Sequence, residues 1–163
     1  VKAPATPPPL FAAGVAGPRG RARGGAGGGG GGVGHAVYGG GTRWGGWGTG
    51  GSRRRAATAD PEWVAWGRTG RWDGIPGGEG DDAFRTRVKG VIDQLVPQHR
   101  GQCIAVVAHG GSINAYVAQL LGVHRSLLFT VENTSITAVR VGPQGATLVT
   151  VNDCHHLYDP VLS

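Results

Sequence analysis

A short apolar run that stops on a histidine and two glycines, QCIAVVAHGGSI at 102–113, sets the strongest limit on what this chain can fold into. Ile104, Val106 and Val107 favour a strand and are too few for a buried helix, while Gly110 and Gly111 supply the tight turn that follows it. Beyond the turn, Ile113, Val117, Leu120 and Leu121 recur at helical spacing until Gly122, and Ser112 is the expected cap. The unit read here is strand, turn and helix, with His109 at the carboxyl end of the strand beside the first N–H groups of the helix. Open α/β sheets bind anions at that place. On these residues alone His109 is either a ligand for phosphate or carboxylate or a polar residue of a βα turn, and four residues do not decide between them.

The amino acids are unevenly spread over the 163 residues. Residues 1–51 hold 20 of the 33 glycines and five of the ten prolines, and the first acidic residue is Asp60. Through residue 59 there are eight basic and no acidic residues, a charge of +8; the remainder has eight basic and ten acidic residues, a charge of −2. A basic balance points to nucleic acid, but here it belongs to one end only. That end, RGRARGGAGGGGGGVG after PATPPPL, buries too little apolar surface to offset the entropy of ordering. Residues 1–40 are therefore expected to be a disordered leader, dispensable for folding, and residues 41–163 a partial domain. The leader has no regularly spaced aromatic residue for base stacking, so no nucleic-acid partner is expected. Val1 stands where a methionine would start a chain, which fits a piece of a longer protein. No run is long enough for a membrane span, and a cytoplasmic protein is expected. Cys103 and Cys154 are too few for a disulfide framework, and both are expected to pack as small apolar side chains.

In chain order, Asp60 and Pro61 fit an N-cap and first helical residue, giving a short helix over 61–66. A loop over 67–80 contains the turn PGGEG. Phe84, Val88, Val91, Ile92 and Leu95 make one apolar stripe, predicting a helix over 81–98 closed by Pro97. Residues 135–141 and 146–152 read as two strands joined by a turn at 142–145. Cys154, His155 and His156 are metal-ligand types, but adjacent strand residues point to opposite faces and cannot converge on one ion. No metal site and no cofactor are expected.

Together PGGEG at 76–80, RTRV at 85–88, VVAHGGSI at 106–113, ENTSI at 132–136 and VTVNDCHHL at 149–157 resemble the histidine phosphatase superfamily, also called phosphoglycerate mutase-like proteins. The similarity spans about residues 41–158 and is closest to the small bacterial phosphatases of that family. It implies an α/β fold, a three-layer α/β/α sandwich with a mostly parallel sheet, here incomplete at the N-terminus. It also implies hydrolysis of small phosphomonoesters through a phosphohistidine, without a metal. By the same resemblance His109 is the second histidine of the pocket, catalytic through its contact with the transferring phosphoryl group, and the amide of Gly110 adds a donor. Glu79 matches the family's GES-like turn, with Gly80 in place of its hydroxyl residue. Asn133 lies in the pocket-lining segment, and Arg21, in GPRGRARGGA, matches a phosphate-binding arginine.

The chain also departs from the family pattern. No Arg-His-Gly tripeptide, the family's nucleophile motif, occurs anywhere. His35 is not assigned to that role, because it is close in sequence to His109 and no strand is expected before it. Gly41 stands in the place of the proton-donor glutamate, and Gly48 in that of a second glutamate. A leader that keeps family spacing with glycine and arginine fits a shifted reading frame in GC-rich coding sequence. Three functions follow: an impaired phosphatase acting on a small phosphorylated substrate, a non-catalytic anion-binding protein, or an Arg/Gly-mediated nucleic-acid binder.

Overall fold

The computed structural model describes residues 10–14, 34–37 and 51–158 of the chain. Its centre is a five-stranded sheet in the order β2-β3-β1-β4-β5, with β1 Leu10–Gly14, β2 Gly34–Val37, β3 Ile104–Val107, β4 Ile136–Gly142 and β5 Gly145–Asp153. β3 runs parallel to both β1 and β2, whereas β4 is antiparallel to β1 and β5 antiparallel to β4. The α/β class is as expected. The sheet is mixed rather than mostly parallel, because the carboxyl-terminal strands form a hairpin through the 142–145 turn.

β1 and β2 both fall within the segment expected to be a disordered, dispensable leader. At these two segments the chain forms strands instead, and β1 occupies the middle of the sheet between β3 and β4. Glycine content argues against independent structure, but a strand recruited by two neighbours draws its hydrogen bonds and burial from them. The rest of the expected leader lies outside the described residues.

Four helices are described: α1 Gly51–Ala57, α2 Pro61–Thr69, α3 Asp81–Gln98 and α4 Gly110–Leu120. α1 was not foreseen; RRRAA has no apolar periodicity, though arginine and alanine are strong helix formers. α2 starts as expected, with Asp60 Oδ1 accepting from the amides of Glu62 at 2.9 Å and Trp63 at 3.4 Å. It runs past Trp66 to Thr69 and stops where Gly70 takes φ 61°. The expected loop over 67–80 thus gives up its first residues to α2 and holds a 3₁₀ turn at Trp72–Gly74. α3 matches its expected span, with Pro97 inside the last turn.

Two apolar clusters hold the layers together. Ile104, Val106 and Val139 of the sheet pack with Ile92, Leu95 and Val96 of α3 and with Tyr116 and Leu120 of α4. Trp72, Ile75, Phe84, Val88 and Ala115 form the second cluster under Trp63 and Trp66. Fully burying side chains such as Phe84 and Ile104 is worth about 1.5–3 kcal/mol each, so α3 and α4 are fastened to β3. Cys154 is half-buried, but Cys103 precedes β3 and is exposed, contrary to the expected packing.

Candidate functional site

His109 ends the β3 connection in an extended conformation and is itself the N-cap of α4. Its carbonyl accepts from the Ser112 amide at 2.9 Å and the Ile113 amide at 3.1 Å. Ser112 is therefore a buried residue of the first turn, not the cap that the sequence led us to expect. A helix leaves its first amides without internal acceptors. Here those of Gly110 and Gly111 have no acceptor among the described residues, and they lie beside an exposed imidazole. Two N–H donors, the positive end of a helix and a histidine suit an anion.

A second segment closes on this helix start. A Cβ at Gly110 would lie 3.1 Å from Val131 Cβ, so glycine is what lets the 131 segment approach. Asn114, in the first turns of α4 and 2% exposed, uses its whole amide to hold that segment. Its Oδ1 accepts from the amides of Leu128 at 2.8 Å and Phe129 at 3.1 Å, and its Nδ2 donates to the carbonyls of Phe129 at 2.9 Å and Gly110 at 3.2 Å. Further on, Asn152 bonds the backbone at Thr130 and Glu132. The chain then turns over 132–135, closed by the Ser135 amide donating to the Glu132 carbonyl at 3.2 Å, with Thr134 at φ 62°. Asn133 sits exposed in this turn. The structure thus joins His109, Gly110 and the segment bearing Asn133 through Val131.

Glu79 stands just before α3 and pairs with Arg87 of that helix, at 2.6 and 3.0 Å, while Arg87 lies over the Phe84 ring, 5.2 Å from its centroid. A bidentate pair of this kind fixes both side chains. Arg21, Gly41 and Gly48 lie outside the described residues. Cys154, His155 and His156 fall at a 3₁₀ turn rather than in a strand, and no group of three or more metal-ligand side chains occurs among the described residues.

The parallel register places Gly14, the last residue of β1, opposite Val107 of β3. The two strands therefore end level at the edge where His109 stands. The residues that follow β1 in the sequence, VAGPRG at 15–20, include no histidine. His35 lies in β2 opposite Ala105, four residues and roughly 13 Å of strand rise short of His109. A strand does precede it, contrary to expectation, but its level in the sheet keeps it unassigned.

Two other features of the fold are structural. Asp81, fully buried at the start of α3, accepts from the Trp72 amide at 3.1 Å and lies 3.4 Å from Arg71. Arg71 also reaches Asp73, Asp82 and the carbonyl of His124, tying the turn after α2 to α3 and to the segment after α4. The hydrogen bond from the Asp81 amide, followed by that from Arg71, holds the Asp73 carboxyl below its usual range. An apolar gap of about 50 Å³ among Val88, Ile92, Val106, Tyr116 and Val139, lined also by Ser112 and Thr137, presents almost no polar surface to a ligand. Burial pushes the Tyr116 hydroxyl up to about 12, with Asp93 adding to it.

Asn114 and Asn152 were not singled out from sequence. One signal was present: an asparagine inside an apolar helical stripe competes for backbone hydrogen bonds, so it is expected to be bonding something.

Comparison with known proteins bears on the family. The histidine phosphatase superfamily (branch 1) profile matches residues 42–154. A protein of Hydrogenobacter thermophilus named as a phosphoserine phosphatase is 31% identical over 84 residues, covering 50% of this chain and 41% of its own. Among solved structures, a protein of Escherichia coli assigned as an α-ribazole-5'-P phosphatase aligns at TM-score 0.52 and 28% identity, over 69% of this chain and 56% of its own. The α-ribazole phosphatase of Shigella flexneri aligns at 0.47 and 30%, over 62% and 51%. The chain spans about half the length of the relatives it matches.

Proposed function

Because this chain belongs to the histidine phosphatase superfamily, branch 1, we propose that its site takes the phosphoryl group of a small phosphomonoester and that the chain as it stands turns that substrate over poorly. Binding falls to His109 and to the amides of Gly110 and Gly111. A phosphoryl oxygen placed among them meets donors already aimed at it, and these would also stabilise charge developing during transfer. Asn133, from the adjoining turn, and Glu79 are proposed to line the pocket, with Arg21 as a further phosphate ligand. Relatives named for phosphoserine and α-ribazole-5'-P both point to a compact organic phosphate.

The observation that carries the second half is the level ending of β1 and β3. In the family the nucleophilic histidine follows the first strand; here β1 is followed by VAGPRG. Without an imidazole to accept the phosphoryl group, no phosphohistidine forms on that side, and the two-step route is closed. Loss of a proton donor at Gly41 removes a further factor of roughly 10²-fold or more. Hydrolysis of p-nitrophenyl phosphate by the intact chain is the test. The expected rate is barely above background and unchanged in His109→Ala; robust turnover abolished by that substitution would overturn the reading.

A further inference from the structure

Asn152, near the end of β5, adopts φ 55°, a left-handed conformation that asparagine tolerates better than most residues with a side chain. Its backbone amide is anchored to β4 by the Thr137 hydroxyl at 3.1 Å, and Thr137 is buried. The pairing of β4 with β5 is irregular between Ile136 and Ala138, a place where a bulge re-aims a side chain. From this base the Asn152 side chain reaches across to a loop twenty residues earlier. Its Oδ1 accepts from the Glu132 amide at 2.8 Å, and its Nδ2 donates to the Thr130 carbonyl at 3.0 Å. The residue between those two is Val131, which rests against Gly110.

We infer that Asn152 is a positioning residue of the phosphate site: by gripping Thr130 and Glu132 it sets how closely Val131 meets Gly110, and so aims the Gly110 and Gly111 amides and the turn bearing Asn133. Asn114 holds the near end of the same segment from within α4, so the loop is fixed at both ends by asparagine amides. Its effect on ligand binding rests on the phosphate reading of His109; its effect on the geometry of Gly110 does not. Groups that hold a binding residue in place commonly matter nearly as much as the residue they hold.

Two variants of the full chain test this. Asn152→Gly keeps the left-handed backbone and deletes both side-chain bonds, whereas Asn152→Asp keeps the acceptor for Glu132 and loses the donor to Thr130. In Asn152→Gly the Glu132 amide is expected to exchange faster, the Gly110 and Gly111 resonances to move, and inorganic phosphate, titrated by NMR, to bind about tenfold more weakly. Asn152→Asp is expected to keep Glu132 protected and to recover most of the affinity. Unchanged Gly110 and Gly111 resonances with unchanged phosphate affinity in folded Asn152→Gly would overturn the inference, even if that variant is less stable. Should Asn152→Gly fail to fold, the same resonances in Asn152→Asp decide: a smaller displacement of Gly110 and Gly111, from loss of the Thr130 bond alone, supports the inference, and none overturns it. If the unsubstituted chain shows no phosphate response, the phosphate reading fails, and movement of Gly110 and Gly111 in Asn152→Gly alone supports or overturns the positioning role.

Discussion

Gly70 combines two demands that no other residue meets together. It ends α2 at φ 61°, and a Cβ there would come within 2.5 Å of the Arg125 guanidinium. Its carbonyl also accepts from the amides of Ser126 and Leu127 at 2.8 and 2.9 Å, so the segment following α4 is fastened through it. Gly70→Ala is expected to cost about 1–3 kcal/mol in denaturant unfolding, from left-handed strain and displacement of Arg125. A loss below about 0.5 kcal/mol would show that Arg125 moves aside freely. Tyr116 offers a prediction with a defined pH window. Burial raises its hydroxyl from 10.0 to about 12, so the folded state holds the proton where the unfolded chain has lost it. The stabilisation is full below pH 10 and disappears as pH rises toward 12. Tyr116→Phe should flatten that alkaline decline by roughly 2–3 kcal/mol at most, followed by thermal unfolding across the window.

At the scale of elements, α2 depends on its start: Asp60→Ala removes two capping bonds and is expected to cost about 1 kcal/mol, read as a lower denaturant midpoint. Elements whose own residues carry a periodic pattern were legible in the sequence. α3 announces itself by the Phe84, Val88, Val91, Ile92 and Leu95 stripe, and the β4–β5 hairpin by its glycine turn. β1 and β2 were illegible because LFAAG and GHAV have little pattern of their own and become strands through pairing partners some 70 to 130 residues away in the chain. The site divides in the same way. His109 and Gly110 could be read from the strand that delivers them, whereas the holding roles of Asn114 and Asn152 depend on backbone groups brought near by the fold. The pairing of Glu79 with Arg87 also needed the structure, since eight residues separate them across a helix start.

For the whole molecule, the position of β1 between β3 and β4 makes Leu10–Gly14 part of the fold. Removing residues 1–40 should therefore abolish cooperative unfolding; an unchanged thermal transition would show that the sheet stands without β1. The same arrangement brings the level ends of β1 and β3 to the edge where His109, Gly110 and Gly111 stand, and the account depends on that edge holding a phosphoryl group. Its most direct test is a titration of the intact chain with inorganic phosphate, following the His109 ring and the Gly110 and Gly111 amides by NMR. Saturable shifts at all three, with a dissociation constant on the order of millimolar and lost at the two glycines in His109→Ala, are the predicted result. Resonances that stay in place up to tens of millimolar phosphate, well above that expected constant, would contradict it.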